Sequence, residues 1–123
     1  MMMTIQESET VELKKSTSEL KEAVISIVAM LNKHQRGEVW FGVRNVGTVV
    51  GQQVSEKTIR DISKAIADNV EPRIYPVIEQ VTVDDRQCIK VQVEGKDHPY
   101  YAYGRAYIRV GDEDRQLSAR ELE

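Results

Sequence analysis

The sequence predicts an α+β fold in which two main helices pack on a mixed sheet, in the order βαββα followed by β-hairpins. Two segments carry apolar residues at helical spacing, and the segments between and after them alternate apolar and polar residues or run apolar, as strands do. The strand-like segments follow one another too closely for a helical crossover between each pair. A doubly wound parallel sheet is therefore excluded.

The first predicted strand, Val11 to Lys14, leads into the first helix. Its apolar side chains fall on one face and those of Glu12 and Lys14 on the other, because successive strand side chains alternate. Ser16 to Glu19 has the spacing of a capping box, which satisfies free amides at a helix start. The helix should end within Lys33 to Gly37. Its apolar stripe is formed by Leu20, Val24, Ile27, Val28 and Leu31.

A second strand is predicted over Val39 to Val43. The run is apolar on both faces, which suits a central strand covered from both sides. Asn45 to Gly47 supplies residues that tolerate a positive φ. A tight turn should therefore lead into a returning strand at Thr48 to Val50.

The second helix is predicted to follow Ser55, a suitable N-cap residue. Pro72 and Pro76 limit how far it extends, because proline lacks the amide hydrogen that a helix interior requires. The apolar stripe of this helix is formed by Ile59, Ile62, Ile66 and Val70.

Two further strand pairs are predicted in the second half of the chain. Val77 to Val83 reads as a strand and Asp84 to Arg86 as a turn. The last pair spans Pro99 to Tyr103 and Ala106 to Val110, around a turn at Gly104. The hairpin partner of the Val77 to Val83 strand has an inward face formed by Ile89, Val91 and Val93.

Length and composition limit the classes of protein that fit. The 123 residues fill one domain, and 41% hydrophobic with 30% charged residues is the composition of an ordinary folded chain. No apolar run approaches the roughly 18 to 20 residues of a membrane span, and the first nine residues lack the apolar core of a signal peptide. We therefore expect a soluble, cytoplasmic protein with no membrane association. The lone Cys88 is predicted to be a small strand residue, since it has no disulfide partner.

Four segments together resemble one family, the Schlafen AlbA-like domain. They are ESETVELKKS from Glu7, LNKHQRG at the end of the first helix, VWFGVRNVGTVVG, and HPYYAYGRAYIRVGDEDRQLS, which ends at Ser118. The resemblance assigns residues 1–118 to this domain and 119–123 to the start of a truncated helix, or to a linker before a missing downstream region. It implies a DNA-binding module of a bacterial transcriptional regulator, without a cofactor, that binds DNA or RNA.

Several cations and aromatic residues are candidates for nucleic-acid contact. Arginine forks and tyrosine faces suit splayed or single-stranded nucleotides, whose bases stack on aromatic rings. The tyrosines of the last strand pair have a structural alternative, because aromatic residues also favour strands. The net charge of −3 argues mildly against nonspecific binding but says nothing about local clusters. The predicted contact residues are Lys14, Lys15, Arg36, Arg44, Arg105, Arg109, Tyr103 and Tyr107.

The resemblance also implies an alternative, a metal-dependent ribonuclease. Some Schlafen proteins cleave RNA with a carboxylate trio, and two of those carboxylates resemble Glu7 and Glu12. Grouped carboxylates could hold Mg²⁺ or Mn²⁺ and so polarise a phosphodiester. Where the third acid belongs, the chain has Arg44 and Asn45, and the asparagine offers only a neutral carbonyl. A structural role for both glutamates is the other interpretation, and no metal site is the primary expectation.

A third interpretation is a dimerisation or protein-interaction domain. Exposed strand edges near the last hairpin could pair between two copies, since an unpaired edge is a template for another strand. A homodimer would then join two basic turns into one longer footprint.

Overall fold

A computed structural model describes residues 5–123 and confirms the mixed α+β class. Residues 1–4 lie outside the described residues. They belong to the N-terminal segment that the sequence predicts not to be a signal peptide. Helices and strands occur in the order βαβα, followed by six strands. Their bounds are β1 Val11–Lys14, α1 Leu20–His34, β2 Arg36–Phe41, α2 Glu56–Asn69, β3 Val70–Glu71, β4 Val77–Val83, β5 Arg86–Glu94, β6 Tyr101–Ala102, β7 Arg105–Val110 and β8 Glu113–Gln116.

The strands form two four-stranded sheets instead of the single sheet that the sequence predicts. The first has the order β1-β2-β5-β4, with β1 and β2 parallel and the other pairs antiparallel. The second has the order β3-β6-β7-β8 and is antiparallel throughout. An irregular segment, residues 95–100, joins β5 of the first sheet to β6 of the second.

Helix α1 lies between the two sheets and packs against β2 and β7. Its residues are buried on nearly every side, including the polar Ser26. Asn32 ties the helix to the second sheet, because its amide donates to the carbonyls of Tyr100 and Tyr107 at 3.0 and 2.7 Å. This packing fixes the first sheet relative to β7 and β8.

The helix starts follow from local capping. Ser55 accepts from the Thr58 amide while the Thr58 hydroxyl accepts from the Ser55 amide, so a capping box starts α2. The capping box predicted at Ser16 is different in detail. A 3-10 turn over Thr17–Glu19 comes first, and the Glu19 carboxylate accepts from the Lys15 amide.

Three other expectations are refined by the structure. The predicted returning strand after β2 makes only one bridge, between Val43 and Val49, so the order there is not ββ. Strand β8 was not predicted, because its sequence, EDRQ, is charged. At Ser118 the hydroxyl accepts from the Glu121 amide and the Glu121 carboxylate accepts from the Ser118 amide, as at a helix start. Neither helix among residues 5–123 is long and apolar enough to cross a membrane.

Candidate nucleic-acid interface

A cleft of about 510 Å³ lies at the carboxyl ends of β1 and β2. Because these strands are parallel, their carboxyl ends lie at the same end of the sheet. Ligands of open sheets commonly bind in the crevice outside such ends. We call it the β1–β2 cleft; its lining residues are Glu7, Glu12, Leu13, Lys14, Lys15, Glu19, Arg44 and Asn45.

The cleft brings together six residues that the sequence singles out, among them three cations. Lys15 and Arg44 are exposed at its mouth, whereas Lys14 is mostly buried and lies 3.6 Å from a Glu12 carboxylate oxygen. Neither Lys15 nor Arg44 forms an ion pair within residues 5–123. Of the three cations in the cleft, these two are therefore the most available to a ligand.

The backbone amides at the start of the helical segment are already satisfied. The Thr17 amide donates to the Gln52 side chain at 3.0 Å, and the Ser18 amide donates to the Ser16 hydroxyl at 3.2 Å. Free amides at a helix start often bind phosphate. Here anion binding must come from side chains instead.

Two carboxylates, from Glu7 and Glu12, face each other within the cleft. Burial first, and then the charge of the neighbouring Glu12, raise the pKa of Glu7 from 4.5 to about 7. The amide of Leu13 opposes the rise by hydrogen bonding to the Glu7 carboxylate. Two carboxylates that share one site resist ionising together, so Glu7 holds a proton part of the time near pH 7.

Arg109 lies beneath this pair. The sequence predicts that it contacts phosphate, but its buried side chain is not available to do so. Its side chain is completely buried, and Nη1 donates to Glu12 Oε2 at 2.7 Å and to Asp114 Oδ1 at 2.8 Å. Nη2 donates to the backbone carbonyls of Ser8 and Val11. Although burial alone would lower the pKa of Arg109, these carboxylates outweigh it and raise the pKa. The guanidinium is thus a fixed internal charge that orients Glu12.

Sequence reasoning missed two residues of this network, Asp114 and Ser26. The Ser26 hydroxyl of α1 donates to Asp114 Oδ2 at 2.5 Å, on the oxygen that Arg109 leaves free. A signal was present in the sequence, because Arg109 lies two residues after Tyr107 and therefore shares its strand face, and this strand packs on α1. A buried arginine needs carboxylate partners, and the acidic run after β7 supplied one.

The loop after β2 carries Arg44 and Asn45 to the cleft. Gly42 adopts a φ of +101°, and a Cβ there would lie 3.1 Å from the Cys88 sulfur and 3.2 Å from the Gly51 backbone. The amides of Gly42 and Val43 donate to the Lys14 carbonyl at 2.9 and 3.1 Å. The chain must turn tightly here to place the next two side chains beside β1.

The other predicted contact residues lie away from the cleft. Arg36 is at the opposite end of β2, in a hollow of about 350 Å³ beside Tyr75. Arg105 and Tyr103 lie at the turn between β6 and β7, where the Lys21 ammonium sits 5.3 Å from the Tyr103 ring centroid. Tyr107 is half-buried against the core, as the structural interpretation of the tyrosines expects.

The part of the chain that the structure describes has no complete metal site. Within residues 5–123 no group of three or more His, Cys, Asp or Glu side chains is arranged to hold a metal ion. Mg²⁺ is often held by one or two carboxylates together with waters and substrate phosphates. Glu7 and Glu12, with the Asn45 amide, would be the protein's part of such a site, and a bound cation would supply charge at a phosphodiester.

Comparisons with known proteins agree with this fold. The family model described as Schlafen, AlbA_2 matches residues 7–118. The DIP2311 protein of Corynebacterium diphtheriae superposes with a TM-score of 0.73 at 16% identity, over 93% of this chain and 23% of that one. The N-terminal domain of a protein from Nitrosomonas europaea, named as ATP-dependent DNA helicase RecG-related, superposes with a TM-score of 0.65 at 24% identity, over 93% and 86%. This chain thus spans about a quarter of the length of the first. No curated protein matches. By its match over nearly all of its length, the chain belongs to the Schlafen AlbA_2 family.

Proposed function

We propose that the chain is a nucleic-acid-binding module whose contact surface is the β1–β2 cleft. The observation that carries the proposal is the pair of exposed, unpaired cations, Lys15 and Arg44, at the ends of two parallel strands. Side-chain cations position a phosphate backbone, and an arginine fork can bind it with two hydrogen bonds. The name of the N. europaea relative, which refers to a DNA helicase, supports the same class of ligand.

The finer form of the proposal is that the module serves a bacterial transcriptional regulator and binds its nucleic acid in the cytoplasm. Its support is the family resemblance alone. Binding to double-stranded DNA more tightly than to single-stranded DNA or RNA would favour it, and preference for a folded RNA would contradict it.

The test is a binding titration with fluorescently labelled single-stranded DNA, double-stranded DNA and RNA at two salt concentrations. We expect Arg44→Ala and Lys15→Ala each to weaken binding and to lower the salt dependence by about 0.7 to 0.9 in log–log slope, the share of one phosphate contact. Arg60→Ala is the matched control, because Arg60 is exposed on α2 away from the cleft. Equal affinities for Arg44→Ala and Arg60→Ala would overturn the placement of the surface.

A second candidate, a metal-dependent ribonuclease, is favoured by the two facing carboxylates of Glu7 and Glu12 beside these cations. Incubation of labelled transfer RNA with Mn²⁺ or Mg²⁺ tests it. Cleavage that is lost in Glu12→Gln and kept in Glu56→Gln, a surface change on α2, would favour the enzyme. Intact RNA with undiminished binding would favour the binding module.

A further inference from the structure

The outer edge of β4 differs from every other sheet edge within residues 5–123. In the first sheet, the edge strand β1 has four residues, and Arg109 donates to the carbonyls of Ser8, which precedes the strand, and of Val11, its first residue. In the second sheet, β3 has two residues and β8 is charged at three of four positions. Short length and charge are ways in which proteins block edge pairing. Strand β4 has seven residues, no internal proline and one charge, Glu79.

The turn that follows β4 determines which of its residues form backbone hydrogen bonds with β5. Asp84 and Asp85 both have positive φ, at 50° and 62°, which makes a two-residue hairpin of type I′. In such a hairpin the flanking residues, Val83 and Arg86, exchange both backbone hydrogen bonds. Every second residue of β4, counted back from Val83, therefore forms its backbone hydrogen bonds with β5. The residues between them direct their backbone N–H and C=O groups away from β5.

A second observation confirms this alternation of residues that bond to β5 and residues that face the free edge. The Gln87 carbonyl accepts from the Gln52 amide at 2.9 Å, on the side away from β4, so Gln87 does not bond to its register partner Thr82. The backbone N–H and C=O groups of Ile78, Gln80 and Thr82 therefore face the free edge. Gln80 and Thr82 are also exposed as side chains.

We propose that β4 pairs with β4 of a second copy of this chain, antiparallel about a two-fold axis at Gln80. Centred there, Gln80 lies opposite itself and Ile78 lies opposite the partner's Thr82, so every outward backbone group finds a partner. The two first sheets then join into one continuous sheet.

Neighbouring registers fit less well. An axis at Glu79 would place two Glu79 carboxylates directly opposite each other, and like charges in that position are destabilising. An axis at Val81 would pair Ile78 with Asp84, which lies in the turn. In the register centred on Gln80, Glu79 instead faces Val81.

The side chains around this edge suit the same partner. Val77 is 56% exposed and Tyr75 is 83% exposed, although both are large and apolar. In the proposed register Val77 lies opposite Val83 of the second copy, a residue of the apolar cluster on that face of the sheet. Pairing would thus remove apolar surface from water, which favours association. The sequence-based expectation placed a dimer edge near the last hairpin, where β8 instead carries charge.

Amide hydrogen exchange followed by NMR at low and high protein concentration tests the edge directly. We expect the amides of Ile78, Gln80 and Thr82 to slow by about tenfold or more in the dimer, because each gains a backbone acceptor. The amides of Glu79 and Val81 bond to β5 in both states and serve as the internal control. Exchange of the three outward amides that is independent of concentration would overturn the proposal.

Charge substitutions at the axis test the register. Gln80→Lys places two ammonium groups opposite each other, as Gln80→Glu does with carboxylates, and each should weaken dimerisation about tenfold in analytical ultracentrifugation. Mixing the two variants should restore a dimer through opposite charges. Gln53→Lys, an exposed change in the loop before α2, is the control and should dimerise like the unaltered protein. A monomeric unaltered protein at about millimolar concentration, or a mixture that stays monomeric, would overturn it.

Discussion

Arg109 connects the candidate site to the rest of the molecule. Its guanidinium joins Glu12 of β1 to Asp114 of β8 and also binds two backbone carbonyls of the N-terminal segment. Nε is the one buried side-chain nitrogen or oxygen among residues 5–123 that lacks a partner. The cost of that atom is offset because the other two nitrogens make charge-assisted hydrogen bonds, which are stronger than neutral ones.

Replacing Arg109 should therefore be severe. Arg109→Met preserves much of the apolar volume but leaves Glu12 without its main cation and Asp114 without its guanidinium partner. Removing one member of a buried ion pair costs about 3 to 5 kcal/mol. Urea unfolding should show a loss of this order, whereas Arg105→Met, an exposed change on the same strand, should shift stability by no more than about 0.5 kcal/mol. A small loss for Arg109→Met would show that the carboxylates find other partners or protons.

Glu7 makes stability depend on pH in the opposite sense from an ordinary paired carboxylate. Its pKa in the folded protein is about 7, above the ordinary value of 4.5, because of burial and the Glu12 charge. Its contribution is fully present below about pH 4.5 and is lost as the pH rises through about 7. Glu7→Gln removes this loss, so the variant should gain stability relative to the unaltered protein between pH 5 and pH 8. Unfolding of both proteins at pH 5 and at pH 8 measures their difference in stability. A difference that is the same at both pH values would contradict the raised pKa of Glu7.

At the scale of elements, periodicity predicted both helices and most strands, because a buried stripe or an alternating face is a property of neighbouring residues. Helix α1 is one example, since four of the five residues of its predicted stripe are buried and the fifth, Leu20, is partly buried. Strand β8 could not be predicted, because its charged sequence forms a strand only when β7 is beside it. The division into two sheets likewise depends on where α1 packs. Six of the eight residues that line the β1–β2 cleft were predictable from the family's segments, whereas the burial of Arg109 depends on contacts between residues almost 100 positions apart.

The loop after β2 depends on Gly42 for two separate reasons, which a pair of variants can separate. Gly42 and Gly104 both have positive φ, at +101° and +77°, so an alanine at either position pays about 1 to 3 kcal/mol of backbone strain. Only at Gly42 would the new Cβ also press on Cys88 and Gly51, since nothing lies within 4 Å of a Cβ at Gly104. Gly42→Ala should thus destabilise more than Gly104→Ala in urea unfolding. Equal losses would mean that the contact relaxes without cost.

At the scale of the whole molecule, surface contacts connect the two sheets in addition to the core around α1. One is the Glu9 carboxylate, which accepts from Lys33 at 2.8 Å, contacts the His34 ring at 2.8 Å and accepts from the Gly111 amide at 2.9 Å. It therefore links the segment before β1, the end of α1 and the turn between β7 and β8. These contacts lie on the surface, so each is individually weak, but they hold three distant segments at one point.

This connection predicts how the fold responds to acid. Lys33 first, then the Gly111 amide and His34, lower the pKa of Glu9 from 4.5 to about 2. A lowered pKa contributes stability that is present above about pH 4.5 and is lost as the pH falls through about 2. Glu9→Gln should be less stable than the unaltered protein at pH 7, and the difference should shrink steadily as the pH falls from about 4.5 toward 2. Glu56→Gln, an exposed change in the first turn of α2, should not show this convergence. Thermal unfolding across the pH range measures both, and a gap for Glu9→Gln that stays constant down to pH 2 would show that the carboxylate does not carry the connection.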